Sequence, residues 1–574
     1  MGKRGLKARV MATEEGEEAA SGSAGPSQEG GAVRGIRRRL GHDPDPVEVA
    51  EPQPRGVARR VQKAEEKEAT PGGSGDQSFN ESMRRDWCDG KLTSNKVLEY
   101  AYGAAQQGMG GAGGFAKHSS PKHAYRTLRR ALGWPKSAPE FTWLEFQGAK
   151  GPGVHPVICP IQFVEQLETT NPAEFKRRLV GGDGEVRAFW EGMGTHCIKD
   201  AIAGKLDPDR TIGVGLHGDS APTTKQEGLL TIAWNSTVAT GRTKDTRNIY
   251  TVVPKSAVED GLLLAVWDYM AWAFNALLDG RVPERDHRGI RRPDAGRRLA
   301  GGWKFALVQL RGDWEFYSEY VRLPRWDAKP FMCWQCYAQQ GDGVAANMGW
   351  TSTADGGWRD RLRTHEEWVA ELTAAGLPLP DIMKIVSLRL EGIMADVLHA
   401  VDLGVASHVI GNAWWELKDT FGAPRDTQAR RVALLEIDAK KWHKDNSVPW
   451  TLRGKLTEAR VRTSSDWPKL KAKGAATRHL IDYTVHLAAS RSNGSRHDMM
   501  RLAVCQLLKT FYDTCEREGR YLSDDAKAIL RPLGKRFMRV YMNLSAEAMA
   551  ARLRAWKVVP KFHVFEHICA DQDG

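Results

Sequence analysis

Two aspartates, each preceded by glycine and each closing an apolar run, are the residues of this chain best suited to phosphoryl chemistry. Asp219 lies at the end of Thr211-Ile-Gly-Val-Gly-Leu-His-Gly-Asp219, and Asp313 at the end of Trp303-Lys-Phe-Ala-Leu-Val-Gln-Leu-Arg-Gly-Asp313. Carboxylates presented together can hold Mg²⁺ or Mn²⁺, with water and phosphate oxygens completing the coordination. Two such ions about 3.5–4 Å apart activate a nucleophile and stabilise a leaving oxygen in in-line phosphoryl transfer. A Gly-Asp pair after a strand is also a common turn signal. The chemistry therefore requires that the fold bring both acids to one edge.

Cysteine and histidine offer a second chemistry. Cys333-Trp-Gln-Cys336 is a CxxC pair, half of what a closed four-ligand zinc site needs. His399, His365 and Cys505 are candidates to complete it, and two partly buried thiols are the alternative. Asp396 and His399, three apart, share a helix face and can orient one another beside a phosphodiester or join a metal. Near the C-terminus, Lys561, His563, Glu566 and His567 fall within seven residues. In a helix the two histidines stand one turn apart with Glu566 beside them, as in a metal or phosphate site.

The elements that position these groups follow from the apolar pattern. Residues 211–219, 228–236 and 248–253 read as three short strands, 258–278 as a long apolar helix, and 303–313 as a fourth strand. Three strands, a helix and a strand predict a mixed α/β layer fold, and the RNase H fold has this order. Its first and fourth strands are neighbours, which would bring Asp219 and Asp313 together. Helical patterns dominate beyond residue 360, at 365–375, 396–418, 428–441, 477–490, 499–518 and 546–555.

The expected organisation is a disordered basic and acidic tail over 1–80 and a mostly helical region over 84–205. The first part of an RNase H-like core follows over 206–330, then a CxxC segment and large all-α insertion over 331–555, with a return to the core over 556–574. The tail is rich in Gly, Glu, Ala, Pro and Arg with almost no aromatics, so it cannot offset its ordering entropy by burial. Helical patterns at 94–107 and 123–132 make the next region a candidate DNA-binding unit.

A formal charge of +12 favours a polyanionic partner, because bound phosphates displace counterions. The eight cysteines are too sparse for a secreted disulfide framework, the N-terminus lacks a signal-peptide apolar stretch, and the apolar helix carries Asp268. The expectation is a soluble intracellular protein with no membrane partner.

In this order the motifs resemble those of DDE/D DNA transposases with an RNase H-like catalytic domain and a helical insertion, in the CACTA, Plavaka and hAT neighbourhood. The resemblance covers about 210–574 and rests on four short motifs. Gly218-Asp219 looks like the first acid; Gly312-Asp313, with Cys333 and Cys336 downstream, looks like the second. Asp396-x-x-His399 followed by Leu403-Gly-Val405 looks like the family's [C/D]xxH motif, and Pro560-Lys-x-His563 with His567 like its C-terminal segment.

The resemblance implies a nuclear protein that cleaves DNA and transfers strands with two Mg²⁺ (or Mn²⁺) ions, with DNA and a second copy of the chain as candidate partners. Asp219 and Asp313 would be metal ligands and Glu566 the third acid, with Glu391, Glu416 and Glu516 as alternatives. Lys561, His563 and the basic loop 281–298, including Arg291 and Arg292, would contact phosphates. Ala476 stands where relatives can carry an acid. A catalytically inactive DNA-binding protein on the same fold, and a zinc-stabilised interaction protein, are the rival expectations.

Overall fold

The computed structural model describes residues 141–570 apart from 195, 225–226, 342–343 and 463–465, together with a few helical residues between 82 and 104. All belong to one compact unit that begins at Ser78. The expected tail 1–80, and most of the helices expected at 94–107 and 123–132, lie outside the described residues.

The first described element corrects the expectation of a mostly helical region up to residue 205. Strands β1 (Phe141–Gly148) and β2 (Gly151–Ile158) form an antiparallel hairpin. Pro152 and Pro156 hid it in the sequence, since proline is excluded from central strands. Each strand of a two-stranded ribbon is an edge, where it is tolerated. Helices α1 (Pro160–Thr170) and α2 (Glu185–Gly192) follow.

Strands β3 (Thr211–Pro222), β4 (Gly228–Ser236) and β5 (Asn248–Pro254) then run antiparallel in sequence. Helix α3 (Asp260–Asp279) returns the chain to β6 (Lys304–Arg311), which lies parallel to β3. The sheet is therefore mixed, with the order β5-β4-β3-β6.

Both faces of the sheet are covered. Trp234 of β4 meets Phe163 of α1 and Phe274 of α3 edge-on, at 5.7 and 5.8 Å between ring centroids. On the opposite face, the ring of Phe189 from α2 fills the space above Gly213, and the Trp190 indole donates to the Thr211 carbonyl at 2.5 Å. Helix α3 is the one helix among the described residues long and apolar enough to cross a membrane. It buries Val266, Met270, Phe274 and Leu277 completely, in one continuous core with the sheet and the hairpin.

Helix α4 (Trp314–Tyr320) starts directly after β6, capped by Asp313, and α5 (His365–Ala374) follows a long irregular segment. A π-helical stretch, Leu398–Ala406, continues into α6 (Ser407–Leu417). Helices α7 (Gln428–Asp445), α8 (Gly474–Arg478), α9 (Ile481–Ser490), α10 (Arg496–Arg517), α11 (Asp524–Ala550) and α12 (Lys561–Ala570) complete the fold.

The helix expected at 546–555 is instead the end of α11, which runs 27 residues through Pro532. An internal proline normally signals a helix end, and it masked the first half. Helices α6, α7 and α9 to α12 share a second core with Trp414, Tyr483, Phe537 and Phe565 at its centre. Within 556–574, expected as the C-terminal part of the catalytic core, Phe562, Phe565 and Cys569 of α12 pack in this helical core.

Candidate active site and metal centre

Register brings three acids to corresponding places. His217 of β3 pairs with Arg311 of β6, so Asp219 and Asp313 each lie two residues beyond a matched pair. On the other side of β6, Leu310 forms a parallel bridge with Ile393, and the Met394 amide donates to the Leu310 carbonyl at 2.9 Å. Asp313 and Asp396 each lie three residues beyond that bridge. Three neighbouring segments thus carry an aspartate at equivalent steps, Asp219 within β3, which runs on to Pro222, and Asp313 and Asp396 just beyond their pairings.

Both Gly-Asp motifs have a packing reason. A Cβ at Gly218 would lie within 2.0 Å of Phe316 ring atoms, and one at Gly312 would lie 2.4 Å from the same ring. Phe316 of α4 therefore seats against β3 and the end of β6 only because both residues are glycine. The Asp313 carboxylate accepts from the Phe316 amide at 2.7 Å and caps α4. Tyr317 of the same helix donates to the carbonyls of Leu310 and Met394, at 3.1 and 2.6 Å, and ties the third segment in place.

Charge coupling supports the grouping. Asp396 and His399 share a 2.6 Å contact between Oδ2 and Nδ1. That hydrogen bond raises the His399 imidazole, with Asp313 adding to the effect. Burial alone would raise the Asp396 carboxyl, yet the hydrogen bond and charge of His399 hold it below its usual value. Burial lowers His217, opposed by Asp219 and Asp396. Burial and the nearby Lys469 lower the Lys561 ammonium, opposed by Asp396 and Asp313. Asp219 is exposed, and Asp313, Asp396, His399 and Lys561 are half-buried.

The second constellation lies between the irregular segment after α4 and helix α12. Cys333, Cys336, His563 and His567 are all buried, with their four ligand atoms within 4.8 Å of one another. Cys336 Sγ is 3.3 Å from both His563 Nε2 and His567 Nε2, Cys333 Sγ is 3.7 Å from His567 Nε2, and the two Nε2 atoms are 3.2 Å apart. Tetrahedral zinc, with ligands at about 2.3 Å to sulfur and about 2.0–2.1 Å to nitrogen, separates its ligand atoms by about 3.3–3.8 Å. The cluster fits a metal ion of this kind.

The surroundings suit it too. Amides of Gln335 and Ala338 donate to the two sulfurs, and the Trp358 ring packs on both imidazoles at 4.3 and 5.3 Å. Burial would raise the Cys333 thiol, but its hydrogen bond with Cys336 and the two histidines pull it well below the usual value, toward the metal-binding thiolate.

Several sequence expectations are thereby corrected. The partners of Cys333 and Cys336 are His563 and His567, not His399, His365 or Cys505. His399 is bound to Asp396, His365 Nδ1 accepts from the Leu390 amide, and Cys505 lies in the helical core. His563 is fully buried against the cysteines, so it presents no edge to a DNA phosphate. Asp396 and His399 sit with the other acids rather than with the cysteines.

Glu566, expected as the third acid, is 4% exposed and holds Arg359 in a two-point ion pair at 2.6 and 2.9 Å. Among the alternatives, Glu416 is bound by His497, Arg501 and Trp556, and Glu391 accepts from the His365 amide. Arg291 and Arg292 lie on the 281–298 loop, paired with Glu284 and Asp294. That loop docks on β1 and α1 through Arg288–Glu145 and Arg297–Glu165.

Sequence reasoning read His563 and His567 as a possible metal or phosphate site but did not join them to Cys333 and Cys336, although their four-residue step is the signal that matches a CxxC. Arg359 and Trp358 carried no signal at all. No protein-family model matches the chain, and no curated protein matches it either.

Proposed function

We propose that the chain is a metal-dependent phosphoryl-transfer protein acting on DNA, of the transposase type, built on an RNase H-like sheet. One observation carries the reading: Asp219, Asp313 and Asp396 stand at equivalent steps on three hydrogen-bonded neighbouring segments. The strand order β5-β4-β3-β6, with only the last pair parallel, supports the RNase H-like reading.

Asp396 takes the place expected of Glu566. Carboxylate oxygens are the ligands that Mg²⁺ or Mn²⁺ prefers, and such ions would supply an activated nucleophile and a stabilised leaving oxygen. The Asp313 oxygen not used in capping, Asp219 and Asp396 would hold them. Asp396 also orients His399, and Lys561 offers a positive charge to the phosphate.

The Cys₂His₂ cluster serves this site structurally when it holds zinc. It fastens α12, which carries Lys561, to the segment that follows Asp313 and α4. A closed four-ligand zinc has no open position for chemistry.

The test is cleavage and strand transfer on duplex DNA with Mg²⁺ or Mn²⁺, comparing the parent chain with Asp219→Asn, Asp313→Asn and Asp396→Asn. Each variant is expected to lose cleavage by at least about a hundredfold, a loss of roughly 2.7 kcal/mol in transition-state stabilisation, while retaining DNA binding. Undiminished cleavage in the three variants would refute the assignment. Binding without cleavage in the parent would favour the inactive DNA-binding alternative.

A further inference from the structure

The helix that begins with the π-helical stretch after Asp396 presents one face through Gly404, His408 and Asn412, spaced four residues apart. Three separate segments are laid across this face, and each brings a lysine. Lys561 of α12 packs on Gly404, where a Cβ would stand 2.7 Å from its Cδ. The segment through Lys469 crosses Gly411, where a Cβ would lie 2.6 Å from the Lys469 Cα. Its neighbour Leu470 donates to the Ser407 carbonyl at 2.8 Å. Lys557 follows Trp556, whose amide donates to the Asn412 side chain at 2.7 Å.

Asn412 is fully buried. Its amide nitrogen donates to the Pro468 carbonyl at 3.4 Å while its oxygen accepts from Trp556. One side chain thus anchors the residues immediately before Lys469 and Lys557. Nothing in the helical core requires two lysines at these places, and both side chains reach solvent.

Among the described residues none of the three ammonium groups has a carboxylate in ion-pair contact; the acids that bear on Lys561 and Lys469 are Asp396, Asp313 and Asp466, acting at longer range. The lysines instead bear on one another and on His408. His408 is 6% exposed, and its Nδ1 is buried without a hydrogen-bond partner. Gathered like charges repel, and a bound polyanion relieves that repulsion. Lys561 lies within the field of Asp313 and Asp396, so the lysine row leads away from the carboxylates.

We infer that Lys469 and Lys557 continue from Lys561 as a phosphate track, holding the DNA backbone next to the bond placed at Asp219, Asp313 and Asp396. This rests on the reading of DNA as substrate and adds residues that no sequence motif marks.

The test uses the full chain in EDTA, where cleavage cannot contribute. Binding of a fluorescein-labelled DNA duplex of arbitrary sequence is followed by anisotropy across a salt series. Each lost phosphate contact reduces the salt slope by about 0.9. The Lys469→Gln, Lys557→Gln double variant should therefore have a slope shallower by about 2 and bind roughly tenfold more weakly. Its thermal midpoint should match the parent's, and Lys469→Arg with Lys557→Arg should restore the slope.

Lys440→Gln with Lys441→Gln removes the same charge from α7, where the two lysines pair with Glu436 and Asp445 of the same helix, and serves as the control. An unchanged slope in the Lys469, Lys557 variant overturns the inference, and so does an equal fall in the α7 control. A parent that binds DNA but never cleaves it leaves the track standing and removes the catalytic reading. A parent with no affinity for DNA at low salt removes both.

Discussion

Replacing one ligand of the Cys₂His₂ cluster should act on a single part of the molecule. The segment that carries Cys333 and Cys336 has only a small core of its own, in which Ala338 and Trp358 join the two cysteines, with Met348 and Trp350 packed against them. Full burial of a large apolar side chain contributes about 1.5–3 kcal/mol. Such a core offsets the ordering of only a few residues, at about 1–2 kcal/mol of backbone entropy each.

Structural zinc binding by Cys/His sets contributes about 10–16 kcal/mol at neutral pH. A metal held by the four ligands, together with the Arg359–Glu566 pair, would therefore order the segment against α12. Cys333→Ser or His567→Ala should abolish zinc binding outright. The segment around 331–361 should lose order while the two large cores persist.

Metal analysis should find one zinc per parent chain and none in either variant. Hydrogen exchange should show lost protection around 331–361, with β3, β6 and α10 still protected. Because each single variant loses the whole site, the double variant should be no less stable than either, a coupling as large as the single effects. A metal-free parent with full protection in this segment, or additive losses in the double variant, would refute the reasoning.

Two other outcomes follow from the structure. Glu566→Gln leaves the half-buried Arg359 without its partner charge and should cost up to about 3 kcal/mol, measurable by chemical denaturation. Cleavage per folded molecule should survive it while Asp396→Asn abolishes cleavage, and the reverse pattern would return Glu566 to the catalytic set.

His497, held between Glu416 and Glu547 at 3.0 Å on either side, is raised to about 9 by its hydrogen bond to Glu416 and the surrounding acids. Its folded value lies above its unfolded value of about 6.5. Its contribution is therefore complete below that value and is lost as pH rises through about 9. The melting temperature should fall between pH 7 and 10, and His497→Gln should flatten that fall; an unchanged profile in the variant would count against it.

The sequence by itself determined the local elements of the sheet. Apolar runs bounded by glycine and polar residues marked the four strands to within a few residues, and the long apolar helix between them was equally plain, because strand and buried-helix patterns are properties of contiguous residues. The Asp219 and Asp313 motifs and the CxxC pair were visible for the same reason.

Tertiary structure alone decided which groups meet. His567 and Cys336 are 3.3 Å apart across 231 residues, and no local periodicity encodes that contact. Glu566 has the right residue type beside the right histidines, but its burial against Arg359 in a two-point contact assigns it to an ion pair. Asp396 reaches the other acids through a single parallel bridge between Leu310 and Ile393, too short to leave an alternating pattern. The hairpin and the first half of α11 were hidden by prolines whose tolerance depends on an open edge or on packing. Lys469 and Lys557 became legible only when a buried asparagine was seen holding their neighbours, since three segments distant in sequence converge there on one helix face.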